Sequence, residues 1–263
     1  MNRYVALGSS MAAGPGIRPR ADGAPWRAGR SARNYPHLVA EQGKLELVDV
    51  TFSGATTAHV LADRQYGAPP QIDALDGSET LVTVTIGGND VGYIPLLMAA
   101  SLPAALRRLP LLGARIGELL DGDARDLALA NVFDSLCAVG SALREHAPRA
   151  RVFFVDYAPA SGRCPLTVLP PAGQPAPPLS ESEADLGRHV ATTLERLTAE
   201  AAAATGCEVM HAGSASRDHH AWSPTPWTAK PTRSGVPLPC RPAPLHPNGA
   251  GMRAVAELIA AQL

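Results

Sequence analysis

Five short apolar runs punctuate the chain, and segments with helical periodicity lie between them. The runs are nearly continuous, which is typical of parallel strands that are buried on both faces of a sheet. They cover residues 3–7, 45–52, 81–86, 151–157 and 207–211. The pattern predicts an α/β fold with about five parallel strands.

Three of the intervening segments have clear helix signals. Residues 126–146 are rich in alanine and leucine and end before a proline. Ser180 and Glu183 form a capping box for a helix that continues to about residue 204. Residues 247–263 form a C-terminal helix with proline near its first turn. Strands that alternate with helices predict a three-layer α/β/α sandwich, and because no linker or repeat interrupts them we expect one domain over residues 1–263.

Two regions fit neither pattern. Residues 94–120 are apolar but are broken by prolines. We expect short helices that pack over the sheet, with a lid over a site as the functional alternative. Residues 214–244 are rich in proline and contain Trp222 and Trp227. An irregular stretch of this length in a compact fold is more often functional than idle.

Charge and hydrophobicity narrow the class of protein. The 263 residues carry a net charge of -1, and a near-neutral chain with no basic run is not expected to bind nucleic acid. No apolar stretch approaches the length of about 18 residues that indicates a transmembrane segment. Because Met1 leads almost directly into the first strand, we expect a cytoplasmic protein without a signal peptide. We expect it to be a monomer.

The four cysteines do not form a metal-binding pattern. Cys137 and Cys207 lie on a predicted helix and at the start of a predicted strand, which indicates small buried side chains. Cys164 and Cys240 lie in proline-rich loops and could pair in an oxidising compartment. The disulfide state stays open at this point.

Polar residues follow the first three predicted strands. They are Ser10, the Ser53-Gly54 pair and Asn89, and His246 lies just before the last helix. Open α/β folds build their sites where the carboxyl ends of the strands meet. A serine hydroxyl becomes a nucleophile when a histidine takes its proton, and main-chain N–H groups with a side-chain amide can stabilise an oxyanion. Together these residues predict acyl-transfer chemistry.

Four motifs around these residues resemble the sequence blocks of one family. ALGSSMAAGPG is similar to block I of the SGNH hydrolases, also called GDSL esterases/lipases, FSGATT to block II, IGGND to block III and LHPNGAGM to block V. The motifs have the family's order and span residues 5–252. Residues 165–171 (PLTVLPP) and 219–227 further resemble an actinobacterial branch of the family.

The resemblance implies a flavodoxin-like fold and hydrolysis of carboxylic esters, either lipid or small acyl esters, without a metal or organic cofactor. It implies that Ser10 is the nucleophile and that His246 is the general base and acid. The Ser10 N–H, the Gly54 N–H and the Asn89 side chain would form the oxyanion hole. A non-catalytic ligand- or glycan-binding relative of the same fold is the alternative. Because the similar branch is often secreted, secretion also stays open.

Two positions depart from the family pattern. Ser9 replaces the aspartate of the GDS motif, a position that supports the loop. Ala243 stands where the family has an aspartate, three residues before the histidine. We therefore expect the main-chain carbonyl of Ala243 to orient His246 in a Ser-His dyad. The alternatives are that a distant carboxylate such as Asp218 does so, or that the protein is a damaged, non-catalytic relative.

Other candidate groups have structural interpretations. Asp90 is expected to bind turn amides, and His59 is expected to lie on a helix face. Residues 14–16 (Gly-Pro-Gly) lack the Gly-Lys-Ser/Thr of a phosphate-binding loop. Residues 218–220 (Asp-His-His) could suggest a metal, but adjacent side chains rarely reach one ion, so we expect a loop surface.

Overall fold

The computed structural model of the chain describes residues 2–156, 168–211, 217–232 and 241–263. In this part of the chain five parallel strands form one sheet with the order β2-β1-β3-β4-β5. The strands are β1 (Arg3–Gly8), β2 (Glu46–Asp49), β3 (Glu79–Thr85), β4 (Arg151–Val155) and β5 (Glu208–Met210). The predicted α/β fold with a parallel sheet is confirmed.

Helices connect and cover the strands. They are α1 (Ser10–Ala13), α2 (Tyr35–Gly43), α3 (Thr57–Leu61), α4 (Tyr93–Ala100), α5 (Ala104–Arg107), α6 (Pro110–Leu119), α7 (Gly122–His146), α8 (Glu181–Ala204) and α9 (Gly249–Ala260). Short 3-10 turns add Trp26–Ala28, Gln71–Ala74 and Arg217–His219.

The helices form two layers, one on each face of the sheet. In one layer α2 packs against α9, and in the other α7 packs against α8, with α3 and α4 beside them. The chain moves from β1 to β2 in one direction and from β3 to β5 in the other. Right-handed crossovers therefore place the two sets of helices on opposite faces. The direction reverses between β1 and β3, and ligand sites in such sheets lie at this switch point.

The core is densest at the two central strands. Tyr4, Val5, Ala6 and Leu7 of β1 are fully buried. The buried phenol of Tyr4 forms a 2.7 Å hydrogen bond with Thr83 of β3, and that of Tyr35 forms a 2.8 Å bond with Thr85. These bonds satisfy polar groups inside the core and lock α2 and β1 to β3, directly beneath the carboxyl edge of the sheet.

The segment around α4 to α6 combines two environments. Helix α4 is buried, with Leu96 and Leu97 fully covered, as the packing prediction for residues 94–120 expected. Helices α5 and α6 instead leave leucines exposed, from Leu112 at 37% to Leu111 at 88% exposure. The lid alternative stays a prediction.

Helix α7 is the one helix among the described residues that is long and apolar enough to cross a membrane. It packs along α8 and buries Leu129, Leu136 and Leu143. This packing is that of a core helix in an α/β sandwich.

Candidate active site

The segments predicted to carry chemistry meet at the carboxyl edge of the sheet. Ser10 begins α1 directly after β1, and the Ser9 N–H donates to the carbonyl of Thr85 at the end of β3. The segment before Gly54 continues the ladder beyond β2, since the Phe52 N–H donates to the carbonyl of Gly8. Hydrogen bonds therefore link the three strand ends into one rigid surface.

Gly8 fixes the path of the chain into Ser10. Its φ of 134° is accessible to glycine, and a Cβ at this position would lie 2.5 Å from the Thr85 carbonyl oxygen. Gln71 clamps both polar groups of Gly8, because its Oε1 accepts from the Gly8 N–H at 2.7 Å and its Nε2 donates to the Gly8 carbonyl at 3.1 Å. The turn that presents Ser10 is thus held from both sides.

Ser10 and His246 form a direct hydrogen bond. The Oγ atom of Ser10 lies 2.8 Å from Nε2 of His246, and both residues are 8% exposed. Nδ1 of His246 lies 2.7 Å from the carbonyl oxygen of Pro244. Because a carbonyl can only accept, Nδ1 carries the proton and the unprotonated Nε2 faces the serine hydroxyl. The imidazole is therefore oriented to receive a proton from Ser10.

The carbonyl that holds the histidine is one residue away from the predicted one, so the assignment to Ala243 is wrong. The Ala243 carbonyl accepts the main-chain N–H of His246 at 3.2 Å, which closes a four-residue turn. Pro244 is the second residue of this turn, and Leu245 is the third, with a φ of 62°. Proline followed by a positive φ is the pattern of a type II turn. The turn leaves the Pro244 carbonyl outside its own hydrogen bond and available to the ring.

Asp218 does not replace the missing carboxylate. It is an exposed residue of the 3-10 turn Arg217–His219, while Nδ1 of His246 is bonded to Pro244. The neighbouring histidines also have separate partners: Nδ1 of His219 lies 2.6 Å from the Thr225 carbonyl, and Nδ1 of His220 accepts the Trp222 N–H. Asp218 lies on the loop surface, as the sequence predicted, whereas His220 is buried and departs from that prediction.

Burial controls the protonation of the catalytic candidate His246. Loss of solvation lowers its pKa from the ordinary value of 6.5, and the hydrogen bond to the Pro244 carbonyl raises it by a smaller amount. Among the described residues no carboxylate hydrogen-bonds to the ring. The imidazole is accordingly neutral at pH 7, the form that a general base requires.

The three predicted oxyanion donors lie in the segments that meet at this edge. Within the described chain neither the Ser10 N–H nor the Gly54 N–H donates to a protein acceptor. Gly54 is exposed and has a φ of 80°. Nδ2 of Asn89 donates one hydrogen to the Ala55 carbonyl at 2.8 Å, which fixes the amide and leaves its second hydrogen for a ligand.

Asp90 and His59 have the structural roles that the sequence predicted. The Asp90 carboxylate accepts from the Thr57 N–H at 3.0 Å and from its hydroxyl at 2.6 Å, which ties the loop of Asn89 to α3. His59 completes the capping box of α3 with Thr56. Both residues therefore support the oxyanion segments from behind.

Residues 14–16 have a structural role that sequence reasoning missed. The Pro15 carbonyl accepts the Ala243 N–H at 2.9 Å, and Gly16, with a φ of 85°, packs against the backbone of Arg241 and Pro242. This contact braces the turn that carries Pro244 and His246. The sequence feature that marks it is a Gly-Pro-Gly segment shortly after the predicted nucleophile Ser10.

One cluster of ligand-type side chains lies at the ends of β4 and β5 in the described chain. Side-chain atoms of Asp156, Glu195 and His211 lie within 4.8 Å of one another. Nδ1 of His211 is 3.3 Å from Oδ2 of the buried Asp156, and this interaction raises the pKa of the histidine. Burial also raises the pKa of the Asp156 carboxyl.

Two of the four cysteines lie in the part of the chain that the structure describes. Cys137 and Cys207 are free and half-buried, and burial raises the pKa of both thiols. Cys164 and Cys240 lie outside the described residues, so their pairing stays a prediction.

The parallel sheet and the polar groups at its carboxyl edge are those of an α/β enzyme that hydrolyses esters. Residues 6–254 match the GDSL-like Lipase/Acylhydrolase family. The chain belongs to this family, which is the SGNH family that its motifs resemble.

Relatives with known sequences or structures agree with this assignment. Lipase 2 of Streptomyces coelicolor is 32% identical over 265 residues, which cover 97% of this chain and 83% of the relative. The structure of phospholipase A1 from Streptomyces albidoflavus NA297 matches with a TM-score of 0.77 at 24% identity, over 100% of this chain and 99% of that one. The extracellular lipase of Streptomyces rimosus matches with a TM-score of 0.73 at 23% identity, over the whole of both chains. The two structures show the shared fold.

Proposed function

We propose that this ester hydrolase acts through an acyl-enzyme on Ser10, with His246 as the only side chain that moves protons. His246 takes the proton of Ser10 as the hydroxyl attacks the ester carbonyl, and the imidazolium then protonates the leaving alcohol. Water, deprotonated by the same imidazole, releases the carboxylic acid. The observation that carries the proposal is the 2.8 Å hydrogen bond between Ser10 and His246.

The Pro244 carbonyl takes the place of a carboxylate in this mechanism. It fixes the tautomer of His246 through a 2.7 Å hydrogen bond, but it carries no full charge. It therefore stabilises the imidazolium less than an aspartate would. The oxyanion donors at Ser10, Gly54 and Asn89 then provide most of the transition-state stabilisation.

The substrate we propose is an ester with a medium or long acyl chain, as in a lipid. The names of the relatives, lipase and phospholipase A1, support this substrate class. The exposed leucines of α5 and α6, the two helices that follow α4, support it as well.

Two measurements test the proposed function. Ser10→Ala should abolish hydrolysis of p-nitrophenyl butyrate while circular dichroism stays unchanged, and activity near that of the wild type would move the nucleophile elsewhere, with Ser9 as the next candidate. Rates across acetyl, butyryl and octanoyl esters should rise with chain length. A steep preference for acetyl would contradict the lipid substrate and leave the role of Ser10 untouched.

A further inference from the structure

The exposed hydrophobic side chains of the protein are not evenly spread. The described chain exposes eight large ones, and four of these are leucines within residues 106–112. We define the leucine patch as Leu106, Leu109, Leu111 and Leu112. Leu111 is 88% exposed, on the first turn of α6. A monomeric soluble protein rarely concentrates exposed leucines in this way, and such a patch marks an interaction site.

The patch is held on a fixed support. Arg107 forms an ion pair with Glu183 of α8, which attaches α5 to the body of the protein. Ile116 of α6 is 5% exposed, so α6 has a buried side and an exposed side. Ile116 is the one buried residue of α6, so the helix is anchored there while most of its surface, including its leucines, stays exposed.

The unpaired charges next to the leucines are positive, while Arg107 is paired with Glu183 and the exposed Glu118 lies at the end of α6. Residues 104–117 contain Arg107, Arg108 and Arg115 and no acidic residue. Arg108 and Arg115 are exposed, and neither forms an ion pair with any described residue. Exposed leucines flanked by arginines are the composition of segments that lie in the surface of an anionic bilayer, where the apolar groups enter the acyl boundary and the cations meet lipid phosphates.

A second copy of the chain fits this patch less well. An isologous dimer would bring the same surface of both copies together and would place Arg108 and Arg115 close to their own counterparts. Like charges at an interface oppose association. An anionic lipid surface has the opposite sign, so the charge pattern favours it over self-association.

Helix α6, which carries part of the patch, is tied to the segment of Asn89 at its far end. Nη1 of Arg125 donates to the Val91 carbonyl at 2.9 Å, and its Nη2 lies 3.5 Å from the carbonyl of Glu118 at the end of α6. This one side chain links α6 to the loop that carries Asn89.

The exposed aromatic side chains have a different environment from the leucines. Arg20 stacks over Trp26 and Arg27 stacks over Tyr66, with 4.6 and 4.4 Å to the ring centroids. Each ring has a cation on one face, although Trp26 and Tyr66 remain 75% and 70% exposed. The leucine patch differs because four exposed leucines are concentrated in one short segment of the described chain.

We propose that the leucine patch, with Arg108 and Arg115, docks the enzyme on the surface of an anionic phospholipid bilayer and presents lipid esters to the site. The supply of lipid esters to the site rests on the proposed function, but docking itself can be measured without catalysis. The Ser10→Ala variant is suited to this measurement, because it should bind vesicles without hydrolysing them.

The test is co-sedimentation of Ser10→Ala with vesicles of phosphatidylglycerol and phosphatidylcholine. Adding Leu109→Ser and Leu111→Ser should lower the partition coefficient by about tenfold or more, since two leucines no longer enter the lipid. Leu127→Ser, which removes another exposed leucine at 65% exposure on α7, is the matched control and should bind as before. Unchanged binding after the patch substitutions would overturn the proposal.

A second pair of substitutions tests the charges independently of leucine packing. Arg108→Gln and Arg115→Gln should each lower binding to the anionic vesicles by about fivefold, with little change on pure phosphatidylcholine. A wild-type dimer that the leucine substitutions convert to a monomer, with vesicle binding unaffected, would identify the patch as a self-interface and also overturn the proposal.

The patch variants also separate the docking proposal from the proposed function. With Ser10 intact, the patch variants should hydrolyse soluble p-nitrophenyl butyrate at the wild-type rate and lose hydrolysis of vesicle lipid. If the wild type failed to hydrolyse the soluble ester, the proposed function would be wrong while vesicle binding by Ser10→Ala could still stand.

Discussion

At the scale of single residues, the environment of His246 determines what the site can do. The ring is buried, its Nδ1 is held by a neutral carbonyl, and its Nε2 faces Ser10. A carboxylate partner would add a negative charge that favours the protonated ring. Its absence leaves desolvation as the main influence, and desolvation favours the neutral form.

The pH dependence of kcat/KM should show directly that the neutral form of His246 is favoured. Burial lowers the pKa of His246 below 6.5, so the base is neutral above that value and becomes protonated only as the pH falls through the lowered pKa. The acid limb of the profile should therefore have its midpoint below pH 6.5. A midpoint above 6.5 would indicate a negatively charged partner and contradict the carbonyl-supported dyad.

The amide of Asn89 should contribute as an oxyanion donor. Asn89→Ala should lower kcat by about 10²–10³-fold with a small change in KM, since the donor acts on charge that develops in the transition state. Asp218→Asn is the matched control on an exposed loop and should retain wild-type kinetics. A loss of activity in the control would restore Asp218 as the partner of His246.

At the scale of elements, the site depends on contacts between loops that are distant in sequence. The segment at residues 14–16 follows the nucleophile helix and packs on the turn at 241–246. The base is also held from the other side, because the Ala229 N–H donates to the His246 carbonyl at 2.9 Å. The position of the imidazole is therefore set by backbone contacts more than by side chains.

Gly16 should be required for this brace. In Gly16→Ala the new Cβ would collide with the Arg241 carbonyl, so the turn that carries Pro244 must shift. We expect kcat to fall by about tenfold or more, and stability to fall as well. Gly23→Ala is the control, because Gly23 also has a positive φ, of 68°, but nothing lies within 4 Å of the added Cβ.

The control distinguishes the effect of backbone strain on stability from the effect of a displaced His246 on activity. Gly23→Ala should lower the free energy of unfolding by about 1 kcal/mol and leave kcat unchanged. Equal kcat values for the two variants would show that residues 14–16 do not position His246.

Local sequence signals predicted those helices and strands in which such signals are strong. The capping box at Ser180 and Glu183 begins α8 as predicted. Helix α2 was not predicted, although Asn34 caps it by accepting the His37 N–H at 3.1 Å. Strand β2 is shorter than the predicted 45–52, because the chain beyond Asp49 keeps single hydrogen bonds to β1 without regular pairing.

At the scale of the whole molecule, the sequence predicted the chemistry better than the surroundings of the site. The strand-end positions of Ser10 and Asn89 follow from hydrophobic pattern and motif order alone. The choice of the Pro244 carbonyl over that of Ala243 depends on the φ of Leu245, which no residue pattern specified. The exposure of the leucine patch likewise depends on which side of α6 the rest of the fold covers.

The parallel sheet brings Ser10 to the backbone-held His246, and the exposed leucines lie on the segment of α5 and α6. Family membership and the ester-hydrolase class come from the match over residues 6–254. The proposals concern how this chain performs the reaction without a carboxylate in its triad, and how it reaches a lipid substrate.

The most direct test of the central claim is labelling with a fluorophosphonate followed by mass spectrometry of the peptides. We expect a single adduct on Ser10 in the wild type at pH 7, no adduct in Ser10→Ala, and strongly reduced labelling in His246→Ala with the fold intact. An adduct on another residue, or full labelling without His246, would contradict the Ser10–His246 dyad.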